Sequence, residues 1–426
     1  MRALFLLAAA AAASQAQRSF EFSLVRPAEV VAELELSSPG ADWAASGREA
    51  AVADLFVDGK LNQQVMLFAG EKRYVYPVFL GTLPAGRHTV RLERNARQSA
   101  RGAGFEAHAA KFRPVAPGDA GYDVLAHAPV LHAREDTISQ FSDTPLLVYC
   151  ERLREGGQEI LQYTVIFSNE DGGTSTRALM ARWGRTTDIE YVYRCFLGQA
   201  GRCARATIQA KDHKEVEFDG QRFGQHPLLT PVTRNNMLAP RPTTALRYHL
   251  APVEIQPGIH SRERVMDLWP VTWTVMAKEL QRENKLRPFG QVDGEKISDP
   301  RNYLYLDAKL KVADGAFEFL VRLKNDRRWR SSALGRADYA IARDGWIRTT
   351  IEMPPGTRIE DIEELGFACR VANPPRGAPQ PVAGVCQLEQ LGSLFFLTPE
   401  GVPGASLAPK ATFTIPSGLT ETIRVR

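Results

Sequence analysis

Short apolar runs alternate with turn-forming residues over most of the chain, a spacing that predicts strands far more often than helices. In the first quarter the strand-like runs are Val31 to Leu36, Val52 to Val57, Val65 to Phe68, Tyr74 to Leu80 and His88 to Leu92. Pro39-Gly40, Asp58-Gly59, Ala69-Gly70 and Pro84-Ala85-Gly86 punctuate them, so residues 19–113 are expected to form a small β-sandwich. A Pro/Gly-rich stretch beginning at Pro114 makes 114–128 the expected linker. In the next section Leu161, Tyr163, Val165 and Phe167 fall on one face of a strand, and Asp188 to Phe196 reads as another. The period lengthens around 261–286. There Trp269, Trp273, Met276, Ala277 and Leu280 form one helical stripe, with Ser261 as a cap and Pro270 as a start or kink. From Tyr303 onward strand signals return: Phe317 to Leu323, Trp346 to Glu352 and Leu394 to Leu397, broken by Asp344-Gly345 and Pro355-Gly356. The expected architecture is therefore mainly β: a multi-domain β-sandwich or jelly-roll protein with one short helical segment at 261–286. A central β-rich domain spans 129–298 and a C-terminal β-sandwich 299–426.

The N-terminus changes the picture. Met1-Arg2 precedes an unbroken apolar stretch, Ala3 to Ala13, and Ser14-Gln15-Ala16 offers small residues where a signal peptidase reads. Residues 1–16 thus read as a cleavable signal peptide, and the protein as secreted or periplasmic. No later apolar run reaches the roughly 18 to 20 residues a bilayer-spanning helix needs. An exported chain meets an oxidising compartment, so the five cysteines are expected to pair. The simplest scheme is Cys195–Cys203 and Cys369–Cys386, with Cys150 a buried thiol. Zinc is set aside because no C-x-x-C pair exists.

Charge and motifs exclude several classes. Lys+Arg 53 against Asp+Glu 49, spread along 426 residues, leaves +4 and no basic block of the kind nucleic-acid binding needs. Walker, dinucleotide-binding, nucleophile-elbow and H-E-x-x-H signatures are all missing.

The densest polar constellation is Ser168-Asn169-Glu170-Asp171-Gly172-Gly173, followed by Gly184-Arg185-Thr186-Thr187-Asp188-Ile189-Glu190. On a strand, Asp188 and Glu190 project from one face while Ile189, Tyr191 and Tyr193 take the other. Converging carboxylates suit a hard divalent cation such as Ca²⁺ or Mg²⁺. They equally suit acid/base chemistry by Glu170 or Glu190 with His213 or His226. A third reading has them paired with Arg182, Arg185 or Arg194. The cluster Asp326-Arg327-Arg328-Trp329-Arg330 adds guanidinium forks beside an aromatic ring, read as a solvated loop or as a grip on an acidic glycan or phosphate with Trp329 stacking on a sugar face.

G-R-T-T-D-I-E, residues 184–190, resembles a degenerate form of the G-H-R-H-D-W-E heptapeptide of the necrosis- and ethylene-inducing-peptide-like cytolysins, and the related H-x-x-D-W-E of the vacuolar-sorting-like family. The likeness covers residues 125–235. It implies a secreted β-sandwich holding a divalent cation through Asp171, Asp188 and Glu190. Arg185 stands where that motif has a ligand His, and Ile189 where it has Trp. LGTLPAGRHTVRLER, in turn, resembles the last hairpin of carbohydrate-binding jelly rolls. The leading expectation is a protein that binds an extracellular or cell-wall glycan or glycolipid, with a divalent cation as its one candidate cofactor. The alternatives are a glycan hydrolase or lyase and a structural cell-surface protein.

Overall fold

The structure is a computed structural model, describing residues 17–170, 172–374 and 377–425. The signal-peptide stretch lies outside the described residues. Strands dominate, as their alternating apolar positions require, and the molecule is mainly β with several sheets.

Two compact units form. The first comprises residues 17–122 together with Leu246–Ala251. One sheet orders the strands Gln17–Leu24, Gly86–Arg94, Val52–Val57 and Lys60–Met66; a second orders Tyr74–Leu83, Ala28–Ser37 and Glu106–Val115. Val30, Leu34, Leu55, Val90, Leu92 and Phe79 are buried in this unit. LGTLPAGRHTVRLER, expected as a hairpin, is instead a crossover: Tyr74–Leu83 and Gly86–Arg94 belong to different sheets, and the chain passes between them at Gly86, whose φ of 138° lies outside the range an L-residue readily adopts.

The second unit, residues 123–245 with 252–425, carries the acidic constellation. Its largest sheet orders Lys214–Glu217, Cys203–Ala210, Asp188–Leu197, Gln158–Phe167, Pro145–Glu155 and Val253–Ile255. Toward the C-terminus two four-stranded sheets enclose a core that includes Leu304, Phe317, Phe319, Phe367 and Leu394. The segment expected as one helix is two: Arg264–Leu268 and Val271–Arg282. The break falls at Trp269-Pro270, where proline has no N–H to continue the ladder. Trp273, Met276 and Leu280 from the expected stripe are core residues. Ser261 is not the cap: its hydroxyl donates to Asp307 Oδ1 at 2.8 Å, and the helix begins after Glu263.

Both expected disulfides, Cys195–Cys203 and Cys369–Cys386, are formed and Cys150 is a buried free cysteine. Burial pushes the Cys150 thiol well above its ordinary range, which makes it a poor nucleophile. Among the described residues no helix is long and apolar enough to cross a membrane.

Candidate functional site

The strand Gln158–Phe167 pairs antiparallel with Asp188–Leu197, setting Phe167 opposite Asp188 and Val165 opposite Glu190. Between them the chain leaves the sheet at Ser168-Asn169-Glu170 and returns through the helix Thr176–Trp183. Ser175 caps that helix by accepting from the Ala178 N–H at 3.3 Å. Gly184 ends it in the left-handed conformation at φ 62°, donating to Met180 O at 3.0 Å. The helix's last carbonyls also accept hydroxyls from another strand, Thr349 to Ala181 O at 2.5 Å and Thr350 to Met180 O at 2.8 Å. These contacts fix the exit into Arg185.

A cavity of about 410 Å³ opens at this point. Leu179 and Trp183 of the helix line it, as do Glu170, Arg185 and Arg262. Its remaining walls are Glu190, Tyr191, Gln209 and His213. Tyr191 departs from the expected alternation. The register slips by one residue opposite Tyr163 and Thr164, and this bulge lets Tyr191 join Glu190 at the cavity instead of following Ile189 into the core.

Asp188 is fully buried. Its Oδ2 accepts from Asn236 Nδ2 at 3.0 Å, while its Oδ1 has no hydrogen-bond partner. Asn236 also reaches Asp143 Oδ1 at 3.3 Å, and Asp143 Oδ2 pairs with Arg134 Nη2 at 2.6 Å. Asn236 and Asp143 both hold positive φ, at 54° and 46°, so the network that supports Asp188 is built on two turns few other residue types tolerate.

Burial lifts all three carboxyls. Glu170 is pushed up to about 7, first by loss of water, then by the charge of Asp188 and by a hydrogen bond that Glu170 donates to it; Arg185 and the Gly172 N–H oppose the rise. Asp188 also reaches about 7, through burial and the charge of Glu190, against the pull of Arg185, Asn236 and Glu170. Glu190 is raised by burial, held back by Arg262, by the Gln209 amide and by Arg185. Carboxyls near neutrality in a cleft are the condition for proton transfer at physiological pH.

Gln209 Nε2 donates both to Glu190 Oε2 and to His213 Nδ1, each at 2.7 Å, so Nδ1 acts as acceptor. The structure thus gathers Glu170, Glu190 and His213 around one cavity, with Asp188 behind Glu170. His226 is elsewhere: buried in the strand His226–Pro231, it donates through Nδ1 to Ala128 O at 2.9 Å and is not among the cavity's lining residues. Asp171 lies outside the described residues. Among the described residues no group of three or more His, Cys, Asp or Glu is placed to hold a metal ion. None of the three arginines expected as partners forms an ion pair with Asp188 or Glu190. Arg185 pairs with Glu263 at 3.4 Å, Arg194 with Glu155 and Glu215, and Arg182 donates to Asp338 O.

Arg262, Gln209 and Asn236 escaped the sequence reading. Arg262 and Asn236 sit far along the chain from the acidic strand and carry no local signal. Gln209 follows the strand pattern of Cys203–Ala210, and only register places it beside Glu190.

No protein-family model matches the chain, and no curated protein matches it. Solved structures give distant likenesses. NLPPya in complex with glucosamine is 11% identical, covering 38% of this chain and 80% of that one at a TM-score of 0.24. A carbohydrate esterase family 2 enzyme with a carbohydrate-binding domain, from Corynascus thermopiles (Myceliophthora fergusii), is 19% identical over 31% of this chain and 39% of that one, at 0.14. A lectin from Pleurotus ostreatus in complex with GalNAc is 9% identical over 97% and 80%, at 0.12. At such scores the function has to be argued from the cavity itself.

Proposed function

We propose that the cavity binds one sugar unit of an extracellular glycan. The observation that carries this reading is the union of two aromatic rings, Trp183 and Tyr191, with Glu170, Glu190, Gln209 and His213 in a cavity of about 410 Å³. A pyranose has C–H faces that suit an aromatic wall and a rim of hydroxyls that needs paired donors and acceptors. The volume falls within the roughly 300–1,000 Å³ usual for small-ligand pockets. Secretion of the chain and a cell-wall or surface glycan as partner belong to this reading. A glycan-array screen, followed by fluorescence titration of the hits, tests it. Saturable binding should disappear in Trp183→Ala and weaken in Gln209→Ala; absence of any glycan ligand for the wild type would sink the proposal.

A divalent cation on Asp171, Asp188 and Glu190 is the finer form of the same proposal. The described residues do not by themselves make a ligand set, and the neighbouring guanidiniums of Arg185 and Arg262 already supply positive charge. Thermal melts with EDTA and then added Ca²⁺ or Mg²⁺ decide it. A cation-dependent rise that vanishes in Asp188→Asn supports the site, and no shift with either ion removes it.

One observation favours a catalytic reading beside the binding one. Glu170 lines the cavity, and burial together with the charge of Asp188 lifts its carboxyl to about 7. A group so poised serves as a general acid toward a glycosidic oxygen, with Glu190 as the second carboxylate. Release of reducing ends from the array hits, abolished by Glu170→Gln with binding retained, is the result that reading requires.

A further inference from the structure

Arginines gather around Trp183, an aromatic wall of the cavity. Arg182 and Arg343 stand 5.9 and 5.3 Å from its ring centroid. Arg343 Nη2 donates to Arg182 O at 2.5 Å, and Arg182 Nη2 donates to Asp338 O. Arg185 and Arg262 complete the group as lining residues of the cavity. One carboxylate serves all four: Glu263 meets Arg185 Nε at 3.4 Å, while Arg185 Nη1 donates to Thr187 O. Among the described residues Arg182, Arg262 and Arg343 form no ion pair. Burial pushes the Arg343 guanidinium down to about 10; Glu263 opposes this, and Arg262, Arg185 and Arg182 add to it. A guanidinium lowered by three others is short of counter-charge. Acidic groups stand at the same cavity, but Glu170 and Asp188 are held near 7, so protons neutralise much of their charge. Glu190 is raised as well, and it accepts from the neutral Gln209 amide.

We propose that the sugar taken by this cavity is a uronic acid, its carboxylate held by Arg262 and its ring stacked on Trp183. The inference rests on the sugar reading of the cavity given above. Arg262 is solvent-exposed and uses Nη1 alone, donating to Ile189 O at 2.8 Å. Its Nε and Nη2 have no partner among the described residues. Those two nitrogens form the edge of the guanidinium that meets a carboxylate through two parallel hydrogen bonds. A single free edge suits one planar, singly charged group. A sugar hydroxyl would use one of the two donors and leave the charge unmatched. A sulfate or phosphate ester brings oxygens outside the plane of one fork, and Arg185 is already committed to Glu263 and Thr187. Arg182 and Arg343, beside the aromatic wall, add a positive field that draws an anion toward it.

Calorimetric titration of the mature protein tests it. The ligands are oligosaccharides of galacturonate, glucuronate and mannuronate, each run beside its carboxyl-reduced, neutral counterpart. At least one acidic oligosaccharide should bind about tenfold or more tightly than its reduced form, the difference a charge-assisted pair supplies. Arg262→Gln should erase most of that preference. Arg262→Lys, which keeps the charge and loses the fork, should restore only part of it. Added salt should weaken the acidic ligand more than the reduced one. Equal affinity of the wild type for acidic and reduced forms overturns the inference while leaving the sugar reading standing, and that comparison needs no variant to fold. A preference unchanged in Arg262→Gln also overturns it, as does binding confined to sulfated oligosaccharides run alongside. If none of these oligosaccharides binds, the inference fails, and the glycan array decides separately whether the cavity takes any sugar. Circular dichroism and a melt of Arg262→Gln check that its fold persists.

Discussion

Two clusters of buried charge occupy the second unit, and they are built on opposite plans. In one, Arg348 is fully buried between Asp267 and Asp307. Its Nε and Nη2 meet Asp307 at 2.9 and 2.8 Å, and its Nη1 and Nη2 meet Asp267 at 2.9 and 2.7 Å. Ser261 and the Trp273 indole N–H take further lone pairs, and the guanidinium lies 5.0 Å from the Phe395 ring centroid. Burial alone would pull Arg348 down, yet the two aspartates overrule it and hold the guanidinium well above its ordinary range. In the other cluster Glu170, Asp188 and Glu190 form no ion pair among the described residues, and Asp188 Oδ1 has no partner. There burial wins, and the carboxyls rise toward neutrality. Where opposite charges are matched and fully hydrogen-bonded, a buried cluster gives cohesion. Where carboxylates crowd without matched partners, protons do the balancing, and the group stays chemically addressable.

The largest expected effect breaks the matched cluster. Arg348→Gln leaves two carboxylates in a dry interior, and uncompensated buried charge of this kind costs about 3–5 kcal/mol. Urea unfolding followed by fluorescence should show the midpoint falling accordingly at pH 7. An unchanged midpoint would mean that the cluster adds no cohesion, and the contrast would collapse.

Second in size is the pH dependence of the unmatched cluster. The folded-state values of Glu170 and Asp188, near 7, lie above the ordinary 4.5 and 3.8. The folded protein therefore binds more protons than the unfolded chain between about pH 4 and 7, and stability falls as pH rises through that window. The decline should total several kcal/mol. Asp188→Asn keeps the shape, still accepts from Asn236 and carries no charge. Unfolding curves at pH 5 and pH 8 should show its decline flattened and its stability at pH 8 above wild type. An Asp188→Asn protein less stable than wild type at pH 8 would show that the charge is compensated after all.

The contrast also separates what the sequence discloses from what it withholds. Alternation at Leu161, Tyr163, Val165 and Phe167 announced the central strand, because each side of a strand must match its surroundings. The two cysteine pairs were legible from spacing and loop composition. Glu170, Asp188 and Glu190 announced themselves by proximity along the chain. Their protonation did not, since it depends on burial and on partners such as Arg185 and Asn236. Tyr191 was misassigned because a one-residue bulge is invisible to a period-two argument. Arg348 gave no hint either: its strand reads as an ordinary alternating run, and Asp267 and Asp307 meet it only through tertiary packing.

The smallest effect tests whether the two clusters are coupled. Gly184 lies between them: a Cβ there would stand 2.8 Å from Arg348 Cγ and 3.2 Å from Thr350 Cγ2. Arg348 is tethered through its guanidinium, so its stem has little freedom to retreat. The φ of 62° adds a penalty of about 1–2 kcal/mol for any L-residue. Gly184→Ala should therefore lose at least the backbone penalty of about 1–2 kcal/mol, and the strain should pass along the backbone to Arg185, whose charge restrains the rise of both Glu170 and Asp188. Displacing that guanidinium moves the titration window of the acidic cluster upward, so the stability decline in Gly184→Ala should centre at higher pH than in wild type. If stability drops while the window stays in place, Arg348's tether and the cavity's protons respond independently, and Gly184 serves only to end its helix.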